Sequence, residues 1–333
     1  MMKASVGKVL LVLMVTSLCG YIYPHCIVFI HIGKTIPDYL CDGVIQTRLF
    51  NKDCKIYLLT NNNAIDSEAL IRLQTSSITM ISLESLTKTG VHEEFLEKST
   101  LDRNFRQAFW LYTSERFLYL YDFVRQFNET EIIHLEYDNM VYVDFAELMP
   151  VFKRYYTGIG AIFDNDTKCI PGLIYFADKT CLKALAQYFL TYAADGKNDM
   201  DVLAIFYQDN KSTGLIDNLP VIMPEYVNPL GLQSRHGHWT CYPERYYKNI
   251  HAFNSIFDGA ALGQFLGGRD PRNGESTPGF VNESCLYNSS LLSYEWKIDN
   301  EGRKVLYVSY DGASYRVNNL HVHSKKLKQF SSV

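Results

Sequence analysis

The sequence has no long lysine or arginine run, no Cys-x-x-Cys pair, no Gly-Lys-Ser/Thr phosphate loop, no internal repeat and no linker of distinct composition. Each absence removes a class of protein. The lack of a basic run and the net charge of −4 argue against a nucleic-acid surface, because such a surface clusters cations to meet phosphates. The one basic stretch, Lys325-Lys326-Leu327-Lys328, reads as a helix end or a phosphate contact. Without paired spacing the cysteines do not read as zinc ligands. The seven from Cys26 onward (Cys26, Cys41, Cys54, Cys169, Cys181, Cys241 and Cys285) allow up to three disulfides and one spare thiol, with the pairing open.

Long apolar runs are lacking too, except at the N-terminus. There Lys3 and Lys8 precede an apolar run from Val9 to Tyr23. That is short for a bilayer span, which needs about 20 residues. Residues 1–23 therefore read as a signal peptide, or as a short signal anchor that would attach the protein to a membrane. Five Asn-x-Ser/Thr sequons, at Asn128, Asn165, Asn210, Asn282 and Asn288, agree with a secretory-pathway lumen or secretion.

What is present is an ordinary globular composition. At 333 residues, 47% apolar and 20% charged, the chain can bury one large core, and residues 26–330 read as one domain. Cys26 to Ile32 is a buried strand, and Pro37 opens a helix through Leu49. Lys55 to Thr60 is a second strand, followed by an Asn61-Asn62-Asn63 loop, a helix from Ile65 to Leu73 and a strand from Ile78 to Leu83. This β-α-β-α-β order predicts an α/β fold with a mostly parallel central sheet and helices on both faces. A long helix is expected over Asn104 to Phe127, a strand over Ile170 to Phe176, and helices over Thr180 to Tyr192 and Asn198 to Phe206. From about Asn218 the pattern turns irregular, so residues 211–330 read as a cover folding back over the sheet.

The segment His134-Leu-Glu-Tyr-Asp-Asn-Met-Val-Tyr-Val-Asp144 places Glu136 and Asp138 inside an apolar strand, on one face at i and i+2. Ligands of such sheets sit beyond the carboxyl ends of the strands, where Asn61 would also lie. Acids there need a partner, and a divalent cation with oxygen ligands supplies one. The bland alternative is that Asp138-Asn139 turns the chain and Glu136 is solvated. Asp199 and Asp201 stand near a helix start, where acids also serve as caps. Asp258 heads the small-residue block Phe257 to Pro271, whose Gly259, Ala260 and Gly263 permit close backbone approach. Tyr207, Trp239, Tyr242 and Tyr246 offer faces for a sugar, but packing claims most aromatics, and the acceptor site stays unassigned.

With Arg116-Phe-Leu-Tyr-Leu, Glu131-Ile-Ile-His-Leu-Glu-Tyr-Asp-Asn-Met-Val and Phe145-Ala-Glu-Leu148, the chain resembles the GT-A class of nucleotide-sugar glycosyltransferases, glycogenin-like and galactosyltransferase-like members above all. The resemblance extends loosely over residues 26–210, as the nucleotide-sugar and metal half. It implies a nucleotide-sugar donor, UDP-sugars favoured, a Mn²⁺ or Mg²⁺ cofactor, and a glycan, glycoprotein or glycolipid acceptor. It implies Glu136 and Asp138 as metal ligands through an E-x-D variant of the DxD motif, Asp138 the closer. His321 or His323 would complete the set, Lys325 or Lys326 would contact the diphosphate, and Arg116 and Asn61 would serve the donor. The family's His-x-x-Gly-x-x-Lys spacing is not met at the C-terminal end. Candidate bases for an inverting reaction are Asp199, Asp201 and Asp258. Two other readings use the same acids: a secreted sugar-binding protein with a structural metal, and a glycoside hydrolase. The hydrolase fits least, since its carboxylates stand about 5 to 10 Å apart across the substrate.

Overall fold

The computed structural model describes residues 25–64, 67–227, 232–235 and 237–333. The apolar run before Tyr23 lies outside the described residues. Among them, no helix is long and apolar enough to cross a membrane.

The first half runs β1 Cys26–His31, α1 Asp38–Phe50, β2 Lys55–Thr60, α2 Ser67–Gln74, β3 Thr79–Ser82, α3 Gly90–Lys98, α4 Phe109–Phe127 and β4 Ile132–Leu135. There follow β5 Asn139–Val141, α5 Phe145–Tyr155, β6 Ile159–Ala161, β7 Phe163–Asn165, β8 Lys168–Cys169, β9 Leu173–Phe176, α6 Lys179–Thr191, α7 Asp199–Asn210 and β10 Ile216–Asn218. Seven of these strands form the central sheet in the order β10-β6-β9-β4-β1-β2-β3. β1, β2, β3 and β4 are parallel, as are β6 and β10, while β9 runs antiparallel to β4 and β6. β1 is apolar and buried along its whole length, as expected of a strand covered on both faces.

Chain direction across the sheet reverses at β1: β2 and β3 lie to one side, β4 to the other. Because strand crossovers are right-handed, the reversal puts the connecting helices on opposite faces. The packing agrees, with α1 against α2 and, separately, α3, α4, α6 and α7 against one another. A crevice opens at such a reversal beyond the strand ends.

The remaining chain contains β11 Leu232–Gln233, β12 Trp239–Thr240, α8 Ile250–Phe253, β13 Ser255–Ile256, α9 Ala261–Gly267, β14 Ser293–Ile298, β15 Lys304–Tyr310, β16 Ala313–Val317 and β17 Asn319–His321. A second sheet has the order β13-β16-β15-β14, and β17 pairs antiparallel with β5. β10 belongs to the central sheet, so the expected division at residue 210 does not fall between the two sheets.

Local differences from the expected elements have physical causes. The long helix starts at Phe109, not Asn104, because Arg106, Gln107 and Ala108 all take left-handed backbone angles, which no right-handed helix accepts. The apolar segment around the acids is two strands, since β4 stops at Leu135 and β5 leaves the central sheet. Cys26, Cys54, Cys169, Cys181, Cys241 and Cys285 are free thiols, five of them buried, so none of the disulfides the sequence allows forms among them. Two sequons are also engaged: Asn165 is buried with its amide on the Ser284 carbonyl, and the half-buried Asn282 donates its amide to Asp164.

Candidate metal centre and cleft

Glu136, Tyr137 and Asp138 form the bend between β4 and β5 rather than part of a strand. The Glu136 amide donates to the Gly172 carbonyl at 2.9 Å, and the Asn139 side chain donates to the carbonyls of Glu136 and Gly172 at 3.1 and 3.0 Å. α1 lies against this bend through Gly43, where a Cβ would stand 2.3 Å from the Tyr137 carbonyl oxygen. Only glycine permits that approach.

β17 brings the distant histidine. Its register with β5 sets His321 opposite Asn139, the residue after Asp138, and the Val322 amide donates to the Asp138 carbonyl at 2.8 Å. His321 Nε2 then lies 3.1 Å from Glu136 Oε2 and 3.1 Å from Asp138 Oδ1. Ligand atoms of Glu136, Asp138 and His321 fall within 4.8 Å of one another, and no other such His/Cys/Asp/Glu group occurs among the described residues. His321 Nδ1 donates to the Gly259 carbonyl, which fixes the ring and leaves Nε2 for the acids. A second partner of this kind is usual for a metal-ligating histidine. Of the two candidate histidines, His321 joins the group. His323 lies beside it with the rings tilted by 57° and centroids 4.3 Å apart, and its Nδ1 meets Gln264.

Cations balance the acids. Arg116 is buried and bridges Glu136 Oε1 to Asp199 Oδ2, the latter at 2.7 Å. Lys325 pairs with Asp138 Oδ2, whereas Lys326 is exposed and opens the final turn. Burial alone would lower the His321 pKa, but Asp138 and Glu136 outweigh it and raise it to about 10. Burial pushes Asp138 up, yet His321 and Lys325 hold it well below the carboxylate range. Glu136 is likewise held low, burial being outweighed by Arg116 and His321. His323 is pushed down to about 3 by burial and by the charges of His321 and Lys325.

The cluster lies in the wall of a cleft of about 620 Å³ at the switch between β1 and β4, lined also by Ile30 to Lys34. Six cations (Lys34, Arg106, Arg116, Lys168, Arg272 and Lys325) and four carboxylates (Glu136, Asp138, Asp164 and Asp199) line it. A cleft richer in cations than the net-acidic chain around it favours an anionic ligand.

The other expected site residues fall elsewhere. Asn61 does not line the cleft; its side chain accepts from the Gly33 amide and donates to Glu84, holding the loop after β1. Asp201 is exposed on the first turn of α7 and also off the cleft. Asp258 is fully buried, its oxygens taking the amides of His321, Leu262 and Gly263 at 3.0, 3.0 and 2.9 Å. Its carboxyl pKa is raised to about 6 by burial, against those three amides. With no face on the cleft, Asp258 is a support for β17 and the start of α9, not a base. Asp199 does reach the cleft, but Arg116 and Thr113 occupy its oxygens. Tyr207 and Tyr246 are buried, and Trp239 and Tyr242 are exposed away from the cleft.

Sequence reasoning did not single out Asp164, Lys168, Arg272 or the cleft aromatics Tyr39, Tyr137, Phe109 and Trp110. A signal for Asp164 existed, since Ile159-Gly-Ala-Ile-Phe-Asp164 repeats the pattern of an apolar strand ending in an acid.

No protein-family model matches the chain, and no curated protein matches it. Among solved structures it is similar to mouse xyloside xylosyltransferase 1, at 11% identity over 59% of this chain and 85% of that one, with a TM-score of 0.44. The PaToxG glycosyltransferase is similar at 15% identity over 58% and 72% of the two chains, TM-score 0.39. The galactosyltransferase LgtC, solved with donor and acceptor sugar analogues, gives 13% identity over 58% and 73%, TM-score 0.36. Likeness this loose carries no weight for function; the cleft's own geometry does.

Proposed function

We propose that the protein is a metal-dependent glycosyltransferase, moving a sugar from a nucleotide-sugar donor, a UDP-sugar first, to a glycan, glycoprotein or glycolipid acceptor. The convergence of Glu136, Asp138 and His321 on one point in a cation-rich cleft at the strand switch carries this reading. Two carboxylate oxygens and one imidazole nitrogen suit Mn²⁺, and Mg²⁺ more weakly because of the nitrogen. When bound, the ion supplies positive charge to a diphosphate leaving group.

The chain's own residues do the rest. Arg116 grips Glu136 Oε1, so Oε2 stays turned toward His321. Lys325, at the cleft wall on Asp138, is the cation best placed to meet phosphate oxygen. Asp258 ties β17 to α9, accepting the His321 amide from one and the Leu262 and Gly263 amides from the other, and so helps hold His321 in place.

We also assign the protein to the secretory pathway or to secretion, with membrane attachment through residues 1–23 if that segment stays uncleaved. Lys3, Lys8 and the apolar run support this, and Asn128 is an exposed sequon. A glycosidase-sensitive mass shift lost in Asn128→Gln would uphold it; a protein that stays in the cytosol would reject it.

The transferase reading is tested by melting the protein with UDP, GDP, CDP or ADP, each with and without Mn²⁺. A ligand that binds only the folded state raises Tm. A rise that needs both one nucleotide and Mn²⁺ is expected; no rise with any pair would reject the reading in favour of sugar binding alone.

A further inference from the structure

Away from the cleft, the second sheet ends on a long, open strand. Among the described residues β14 is the longest strand at a sheet end, with six residues against four in β3. It pairs with β15 from Ser293↔Ser309 to Ile298↔Lys304 without a bulge, and Ser293-Tyr-Glu-Trp-Lys-Ile298 contains neither proline nor glycine. Its other edge meets no strand, and its backbone makes no hydrogen bond there among the described residues. The Asp299 amide donates to the Arg303 carbonyl at 2.9 Å, and the Lys304 amide turns away from β14 to the Ser332 carbonyl at 3.1 Å. Hydrogen-bonded and non-hydrogen-bonded pairs alternate along an antiparallel ladder, so the amides and carbonyls of Tyr294, Trp296 and Ile298 face the free edge. A regular edge left open in this way is a template for another strand.

We propose that β14 pairs antiparallel with β14 of a second copy of this chain, about a two-fold axis at Trp296. The inference stands on this edge and not on the transferase reading. Charge selects the register. Glu295 and Lys297 lie on one face of the strand, Oε2 to Nζ 3.2 Å, and both reach solvent. With the axis at Trp296, Glu295 of each copy stands opposite Lys297 of the other, at non-hydrogen-bonded positions where side chains come closest. An axis at Glu295 or at Lys297 would instead set like charges against each other. On the other face the same register lays Ile298, 67% exposed in the single chain, against Tyr294 of the second copy, an apolar cross-strand pair. The strand is held ready for this, because Tyr294 stacks on Phe265, and Trp296 packs on Tyr142 and Phe330. The two second sheets then run on as one across the axis.

Sedimentation velocity on the full chain over about 1 to 300 µM tests this, since a contact centred on one strand pair is small for a protein interface and should dissociate in roughly the micromolar range. Wild type is expected to pass from monomer to dimer as concentration rises. Glu295→Lys and Lys297→Glu each set like charges across the axis and should weaken the dimer by about tenfold or more. Their Tm is expected to stay at the wild-type value, because both side chains are exposed in the single chain. Mixed together, the two variants should form a heterodimer, and the double exchange, Glu295→Lys with Lys297→Glu, should dimerise as wild type does. A wild type that stays monomeric throughout would overturn the proposal and leave the edge to a strand of another protein. A dimer that either single variant leaves within about twofold of wild type, or a double exchange no better than the single variants, would overturn it too.

Discussion

His92 and His321 each sit between two carboxylates, and both clusters touch α4, through Glu115 and Arg116 respectively. His92 Nδ1 meets Asp122 Oδ2 at 2.5 Å, and its Nε2 meets Glu115 Oε1 at 3.2 Å. The ring thus spends one nitrogen on each acid, on opposite sides, and the histidine is wholly buried. His321 gives a single nitrogen to both acids at 3.1 Å and ties the other to a carbonyl. Three donor atoms converge there on a point beside the cleft, and around His92 they do not. Composition is the same in the two places. A cation site differs from a structural knot by convergence and by access.

The largest expected effect separates them by stability. His92→Leu leaves Asp122 and Glu115 without their partner and costs about 3–5 kcal/mol in denaturant unfolding, while Mn²⁺-dependent nucleotide binding by the folded fraction is unchanged. In wild type, burial lowers the His92 pKa, but the two acids outweigh it and raise it. The folded value lies above the unfolded one of about 6.5. This stabilisation is therefore full below that pH and fades as pH rises through the folded value. Stability insensitive to His92→Leu would break the distinction.

Asp138→Asn comes next. Loss of a direct ligand weakens Mn²⁺-dependent nucleotide binding about 100-fold or more, with Tm kept near wild type, as calorimetry and melting would show; losing a supporting contact costs about 10- to 100-fold. Arg116→Lys is the milder version. A lysine cannot span Glu136 and Asp199 as the planar guanidinium does, so binding falls about tenfold.

The last effect is a slope, and the difference sought is its flattening. The metal takes the neutral imidazole, whereas His321 holds its proton up to about pH 10. Binding must expel that proton, so Mn²⁺ affinity rises about tenfold per pH unit below that value and levels off above it. His321→Gln should flatten the slope, and His92→Leu should not.

The sheet was largely legible because its signal is local. The continuous apolar run of β1 and the alternation of strand and helix through β3 follow from neighbouring residues. Glu136 and Asp138 were legible as acids set against an apolar run. Their bend was not, because it depends on Gly172 and Asn139, and on α1 approaching at Gly43. His321 could be proposed only together with His323. What distinguishes them is the pairing of β17 with β5, some 180 residues apart in sequence. Asp258 was legible as the head of a small-residue block, but the sequence could not show that the amides it accepts come from β17 as well as α9. Asp164 was overlooked for the same reason, since Asn282 and Ser284 reach it from over a hundred residues away.

The most direct measurement is a titration of Mn²⁺ into the protein with UDP, following the free ion by its EPR signal. Wild type is predicted to remove one Mn²⁺ per chain from solution, with His321→Gln and Asp138→Asn leaving it free. Mn²⁺ left free by wild type, or bound as tightly by His321→Gln, would contradict the account.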